Sequence, residues 1–152
     1  MTQPSSSESP AWSTLASRHQ VWGWRLLLLF LFLGMVLDGM HGFKVGFYLD
    51  PQNRMRRELW TLAHAHGTLV AVVHLLYSFS ITMNWWANGR RAKLASNMLF
   101  AAALLLPGGF FLGGIAPSEG DPWIGVWAVP VGGLFLLSAV FLATLERGRQ
   151  KD

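Results

Sequence analysis

The sequence predicts an all-α integral membrane protein: a bundle of four transmembrane helices with both termini on the same side. Three observations lead there. Hydrophobic residues make up 52% of the 152-residue chain. Charged residues supply only 13%, against about 25% in soluble domains. The apolar residues also gather into four runs, 21–43, 59–83, 94–114 and 123–145. Each is close to the ~20 residues that a helix needs to cross the hydrocarbon core. None alternates with period two, so a barrel is set aside and helices satisfy the backbone in lipid.

Residues 1–20, Ser- and Pro-rich over their first half, read as a disordered N-terminal tail, and 21–146 as the membrane domain. The run 26–37 is followed by Asp38-Gly39-Met40-His41 with no small-residue cleavage pattern, so a cleaved signal peptide is not expected. A mixed basic loop, 44–58, leads into the second span, which carries a small-residue ridge, Ala63, Gly67 and Ala71. Such a ridge lets a neighbouring helix approach closely. A short basic loop, 84–93, leads to the third span, and the acidic, turn-like 115–122 leads to the fourth. Trp85, Trp86 and Trp123 read as interface anchors. Pro107-Gly108-Gly109 and Pro130-Val131-Gly132-Gly133 favour close packing in the last two helices. Residues 147–152 form a basic tail.

The distribution of positive charge sets orientation. Arg18, Arg25, Arg90, Arg91, Lys93, Arg147, Arg149 and Lys151 fall on the side of the termini, against Lys44, Arg54, Arg56 and Arg57 on the other. Cytoplasmic termini in a cell membrane, as in a bacterial inner membrane, follow. A pI near 10.1 would otherwise suggest nucleic acid, but the basic residues sit in membrane loops and no nucleic-acid partner is expected. The chain has no Cys, which excludes disulfides, thiolate metal sites and covalent c-type haem.

Ionisable side chains in membrane spans are costly and mark candidate sites. His64, His66 and His74 all lie in the second span. At about 100° per residue, His64 and His66 point about 160° apart and His74 about 80° from either. A metal site built by this helix alone is therefore disfavoured, whereas one histidine can serve as an axial haem ligand. His64 shares its helix face with Trp60, Thr68, Ala71 and Leu75, which makes Trp60 and Thr68 its candidate cofactor-binding neighbours. Asp38, His41, His66, His74 and Tyr77 are candidates for a supporting shell of polar groups. Asp38 and His41 are spaced to pair on the first helix, and with Glu119 and Asp121 they place reactive groups at one end of the bundle.

The sequence resembles the small four-helix membrane isomerases typified by styrene oxide isomerase, and more faintly hydroxylaminobenzene mutase. The resemblance runs through Gly42-Phe43-Lys44, Gly46-Phe47-Tyr48, Trp60 four residues before His64, the pair Ala63-His64, and the third helix from Ala92-Lys93-Leu94 to Gly108 and Pro117. It implies a trimer-like homo-oligomer holding b-type haem between subunits, His64 as axial ligand of the iron, and a small apolar substrate. Ferric iron acts in that family as a Lewis acid on an epoxide oxygen. The sequence departs from the pattern at Val70 and Leu106, which stand where the family has Asn, and at Phe110, where it has Tyr.

Two other classes fit the same residues. A non-catalytic structural or assembly protein would use the small-residue ridges for packing and the histidines as polar contacts between helices. A small transporter or proton-conducting protein would use them as a relay. Lipid is a partner in every case.

Overall fold

A computed structural model describes residues 8–51, 54–118 and 121–147. Glu119, residues 1–7 and residues 148–152 lie outside them. The described chain is helical: α1 spans Glu8–Gly42, the short α2 Gly46–Leu49, α3 Arg54–Thr82, α4 Gly89–Gly113 and α5 Ala128–Arg147, preceded by a 3-10 turn at Ile124–Trp127. Four of these helices are long and apolar enough to cross a membrane. α1 starts at Glu8 rather than at residue 21, which places residues 8–20 of the expected tail in helix. At 1.5 Å per residue its 35 residues reach about 52 Å, beyond the ~30 Å of a hydrocarbon core.

Local chemistry ends and starts these helices. After α1 and after α3, Lys44 (φ 53°) and Asn84 (φ 51°) adopt the left-handed conformation. Val45 N–H then reaches Met40 O at 3.0 Å, and Trp85 N–H reaches Ser80 O at 3.0 Å. These are Schellman closures, which satisfy carbonyls that a helix end leaves open. α4 begins at an Asn88 cap, whose side-chain oxygen accepts from Arg90 N–H at 3.0 Å and Arg91 N–H at 3.3 Å.

Glycine sets the distance between helices. On the α1–α3 contact, a side chain at Gly23 would strike Leu75, one at Gly34 would strike the His64 ring, and one at Gly67 would strike the Phe30 ring. The ridge Ala63, Gly67, Ala71 is buried, with Gly67 against Phe30 of α1. α4 and α5 use the same device: a Cβ on Gly132 would lie 2.5 Å from Leu106 N, and one on Gly109 3.0 Å from Val129 N. The Pro-Gly segments of both helices thus serve close packing.

The most continuous core lies towards the Asn84–Gly89 connection, where Ala16, Tyr77, Ile81, Trp86, Ala92, Ala95, Leu99 and Ala139 pack together. Trp86 belongs to it, 6% exposed, with Nε1–H donated to Ser80 Oγ at 2.8 Å. It is a core residue, whereas Trp123 keeps the exposure of an interface residue. At the same end Glu146, fully buried, accepts from Ala87 N–H at 3.1 Å and Asn88 N–H at 3.2 Å, and pairs with Arg91 at 3.0 Å. This ties the last turn of α5 to the start of α4. Outward-facing Leu28, Phe32, Met35, Leu134, Leu137 and Phe141 are exposed, a surface suited to lipid rather than water.

Gly132→Ala should destabilise the protein by about 1–3 kcal/mol, because the added methyl meets Leu106 backbone that cannot rotate away. Gly133→Ala, with open space at its Cβ, should be neutral or gain up to ~1 kcal/mol of helix propensity. Unfolding of the two variants in detergent micelles checks the contrast.

Candidate functional site

The structure sends the three histidines of α3 in three directions, as their spacing requires. His64 turns into α1, His66 lies against Phe110 of α4 with ring centroids 4.8 Å apart, and His74 is buried between α1 and α4.

His64 is half-buried and donates Nδ1–H to Phe30 O at 2.7 Å. The ring lies where a side chain at Gly34 would stand, so glycine on α1 is what allows an α3 imidazole to reach the α1 backbone. A carbonyl only accepts, so Nδ1 carries a proton, and in the neutral ring Nε2 keeps its lone pair. Nε2 has no hydrogen-bond partner among the described residues. One turn further along α3, Thr68 Oγ1 is buried and also lacks a partner. One turn back, Trp60 donates Nε1–H to Phe111 O at 3.1 Å and stacks on Phe111 at 5.4 Å. Trp60 therefore links the His64 face of α3 to the last turn of α4.

Above Trp60 sits a residue that sequence reading assigned only to loop charge. Arg56 is 7% exposed and donates Nε–H to Gly114 O at 3.2 Å, Nη1–H to Phe47 O at 3.0 Å and Nη2–H to Ile115 O at 3.2 Å. Its guanidinium lies 4.0 Å from the Phe47 ring centroid. One planar cation thus satisfies carbonyls from α2 and from the end of α4. The aromatic pattern Phe47, Tyr48, Trp60 around it was the available signal.

The remaining candidates are more scattered. His66 returns Nδ1–H to Leu62 O at 2.9 Å on its own helix. Asp38 and His41 are exposed, and no ion pair joins them among the described residues. Tyr77 is buried and donates its hydroxyl to Ala92 O at 2.6 Å, in the half of the bundle away from His64. Val70 and Leu106 are buried core residues, 1% and 5% exposed, and Phe110 faces His66.

His74 meets a partner absent from the sequence-derived candidates. Its Nδ1 lies 2.9 Å from His19 Nδ1, and His19 Nε2 lies 2.8 Å from Ser96 Oγ. His19 falls within the segment expected to be a tail. Only when α1 is extended do Ala16, His19 and Gly23 share a face. No group of three or more metal-ligating side chains occurs among the described residues.

Four membrane-capable helices with glycine-set contacts and an exposed apolar surface define a multi-pass integral membrane protein. No protein-family model, curated protein or solved structure matches the chain.

Arg56→Met should cost on the order of 2 kcal/mol, because it strips partners from buried carbonyls while keeping the apolar stem. Arg54→Met removes only an exposed pair with Glu58 and should change stability by less than about 0.5 kcal/mol. Equilibrium unfolding in detergent distinguishes them.

Proposed function

We propose that this is a haem-b-binding membrane protein, with His64 as the axial ligand of the iron and Trp60 and Thr68 beside it. The observation that carries the reading is the hydrogen-bond state of His64. Ligating histidines hold one ring nitrogen by donation to a carbonyl or carboxylate and offer the other to the metal. His64 has that arrangement: Nδ1–H is fixed on Phe30 O, and Nε2 is left with a lone pair. The orphaned Thr68 hydroxyl is a second polar group on the same face, available to a bound group. Apolar surroundings suit a porphyrin.

In this reading the chain's own residues bind and orient. Gly34 admits the imidazole, Phe30 O sets its tautomer, and Arg56 and Trp60 fix the end of the bundle around it. Bound ferric haem would supply a Lewis acid at an open coordination position, the chemistry of the isomerases that the sequence resembles. Val70, Leu106 and Phe110 supply no side-chain hydrogen bond to a substrate, and the Tyr77 hydroxyl is committed to Ala92. Haem binding is accordingly the core of the proposal, and isomerase activity on a small apolar epoxide is its extension. Lipid, further copies of the chain in a trimer-like assembly, and cytoplasmic termini in a bacterial inner membrane complete it.

A second reading, a structural or assembly protein, is favoured by the His19–His74–Ser96 cluster, whose hydrogen bonds are satisfied within the bundle. The two readings differ at His64. Protein purified in detergent after expression with ample haem should show a Soret band at one haem per chain or a fixed fraction of it. His64→Ala should lose the band and His66→Ala should keep it. A colourless, folded wild type that cannot be reconstituted, or haem retained in His64→Ala, would overturn the haem reading.

A further inference from the structure

The haem reading makes no use of the cluster at the other end of α3. His74 lies ten residues from His64, about 15 Å along the helix, so the two places are chemically separate. His19 and His74 are both 0% exposed. All four of their ring nitrogens are engaged: Nδ1 to Nδ1 at 2.9 Å, His74 Nε2 to Leu99 O at 3.3 Å, and His19 Nε2 to Ser96 Oγ at 2.8 Å.

The carbonyl fixes the protons. Leu99 O only accepts, so His74 carries its proton on Nε2. With both rings neutral, His74 Nδ1 must accept and His19 Nδ1 must donate. His19 Nε2 then accepts from the Ser96 hydroxyl. The chain of donors runs one way, from Ser96 through His19 and His74 to Leu99.

One added proton fits this frame without breaking a contact. It forms an N–H bond at His19 Nε2, and the Ser96 hydroxyl turns to accept from it, directing its own hydrogen to the backbone of its helix, as serine within a helix does. The Nδ1–H···Nδ1 bond persists, and its proton can move to His74 so that either ring carries the charge. A second proton would set N–H against N–H across the pair and force the rings apart. The capacity is one.

Aromatic rings line the pair. Phe100 packs against both rings, with centroids 4.7 Å from His19 and 4.9 Å from His74, and the Tyr77 ring lies 4.4 Å from His19. The charged group nearby is Arg18, stacked 4.4 Å over Phe100; Tyr77 is titratable but holds its hydroxyl on Ala92 O at 2.6 Å. Among the described residues no carboxylate bonds to either ring.

We infer that the His19–His74 pair, clamped by Ser96 and the Leu99 carbonyl, is a binding site for one proton shared between two imidazoles. It joins α1, α3 and α4, so those helices stay packed through the first protonation and separate only on a second.

The test is nitrogen NMR of the full chain in phosphatidylcholine nanodiscs with 15N-labelled histidine. A His41→Gln/His64→Gln/His66→Gln variant, in which the pair supplies the histidine signals, gives the assignment. The expected result at high pH is two neutral rings, His19 protonated at Nδ1 and His74 at Nε2, with scalar coupling between the two Nδ1 atoms. On acidification both rings should shift together as one proton enters, with the coupling kept. The proposal fails if no coupling appears at any pH or if the rings titrate independently. It also fails if two protons enter with the coupling intact, or if the coupling is lost before any proton enters.

Discussion

Lipid offers a polar side chain no water, so its hydrogen bonds must be made within the protein, and in this bundle the α1–α3 contact is what makes that possible. Glycines at positions 23, 34 and 67 remove the Cβ atoms that would hold the two helices apart. Only then can an imidazole on α3 reach a carbonyl on α1, as His64 reaches Phe30 O, or meet an imidazole, as His74 meets His19. Ser78 Oγ–H bonding Ala16 O at 2.8 Å is a third instance of the same reach. The contact that packs the membrane domain is also the one that positions both histidine sites.

The two ends of the bundle resolve their polar groups differently. Towards the Asn84–Gly89 connection a set of buried polar groups is paired: Glu146 holds backbone N–H groups and Arg91, Tyr77 holds Ala92, and the histidine pair closes on Ser96 and Leu99. Towards the other end Arg56 gathers three carbonyls, yet His64 Nε2 and Thr68 Oγ1 are left over. Leaving a buried polar atom such as Thr68 Oγ1 unpaired costs roughly 1–3 kcal/mol.

Much of the fold was legible in the sequence, because span length and apolarity are imposed by the bilayer and recorded directly as residue type. Spacing also separated the three histidines correctly, since helix geometry alone sets their directions. The start of α1 was not legible. Ser and Pro at 4–10 signal a tail, and only tertiary packing of Trp12, Ala16 and His19 against α3 and α4 carries helix through the segment that follows. That error hid His19, and with it the partner of His74. The roles of Arg56, Ser96 and Glu146 escape a sequence reading for a related reason. Each reads as an ordinary loop or helix residue until the register between helices is known, and register is set by contacts such as Phe30 on Gly67 that composition does not encode.

That register is the claim on which both sites rest, and disulfide trapping tests it directly. The chain has no native Cys, so a Phe30→Cys/Gly67→Cys double variant introduces a single pair. A Cβ at residue 67 occupies the space of the Phe30 ring, which puts the two sulfurs within bonding reach once the ring is removed, since bridged Cβ atoms lie about 3.5–4.5 Å apart. Oxidation in native membranes should close an intramolecular disulfide in most molecules. Absence of that bond, with efficient bonding instead in a pair shifted by one residue along α1, would contradict the register and both histidine sites built on it.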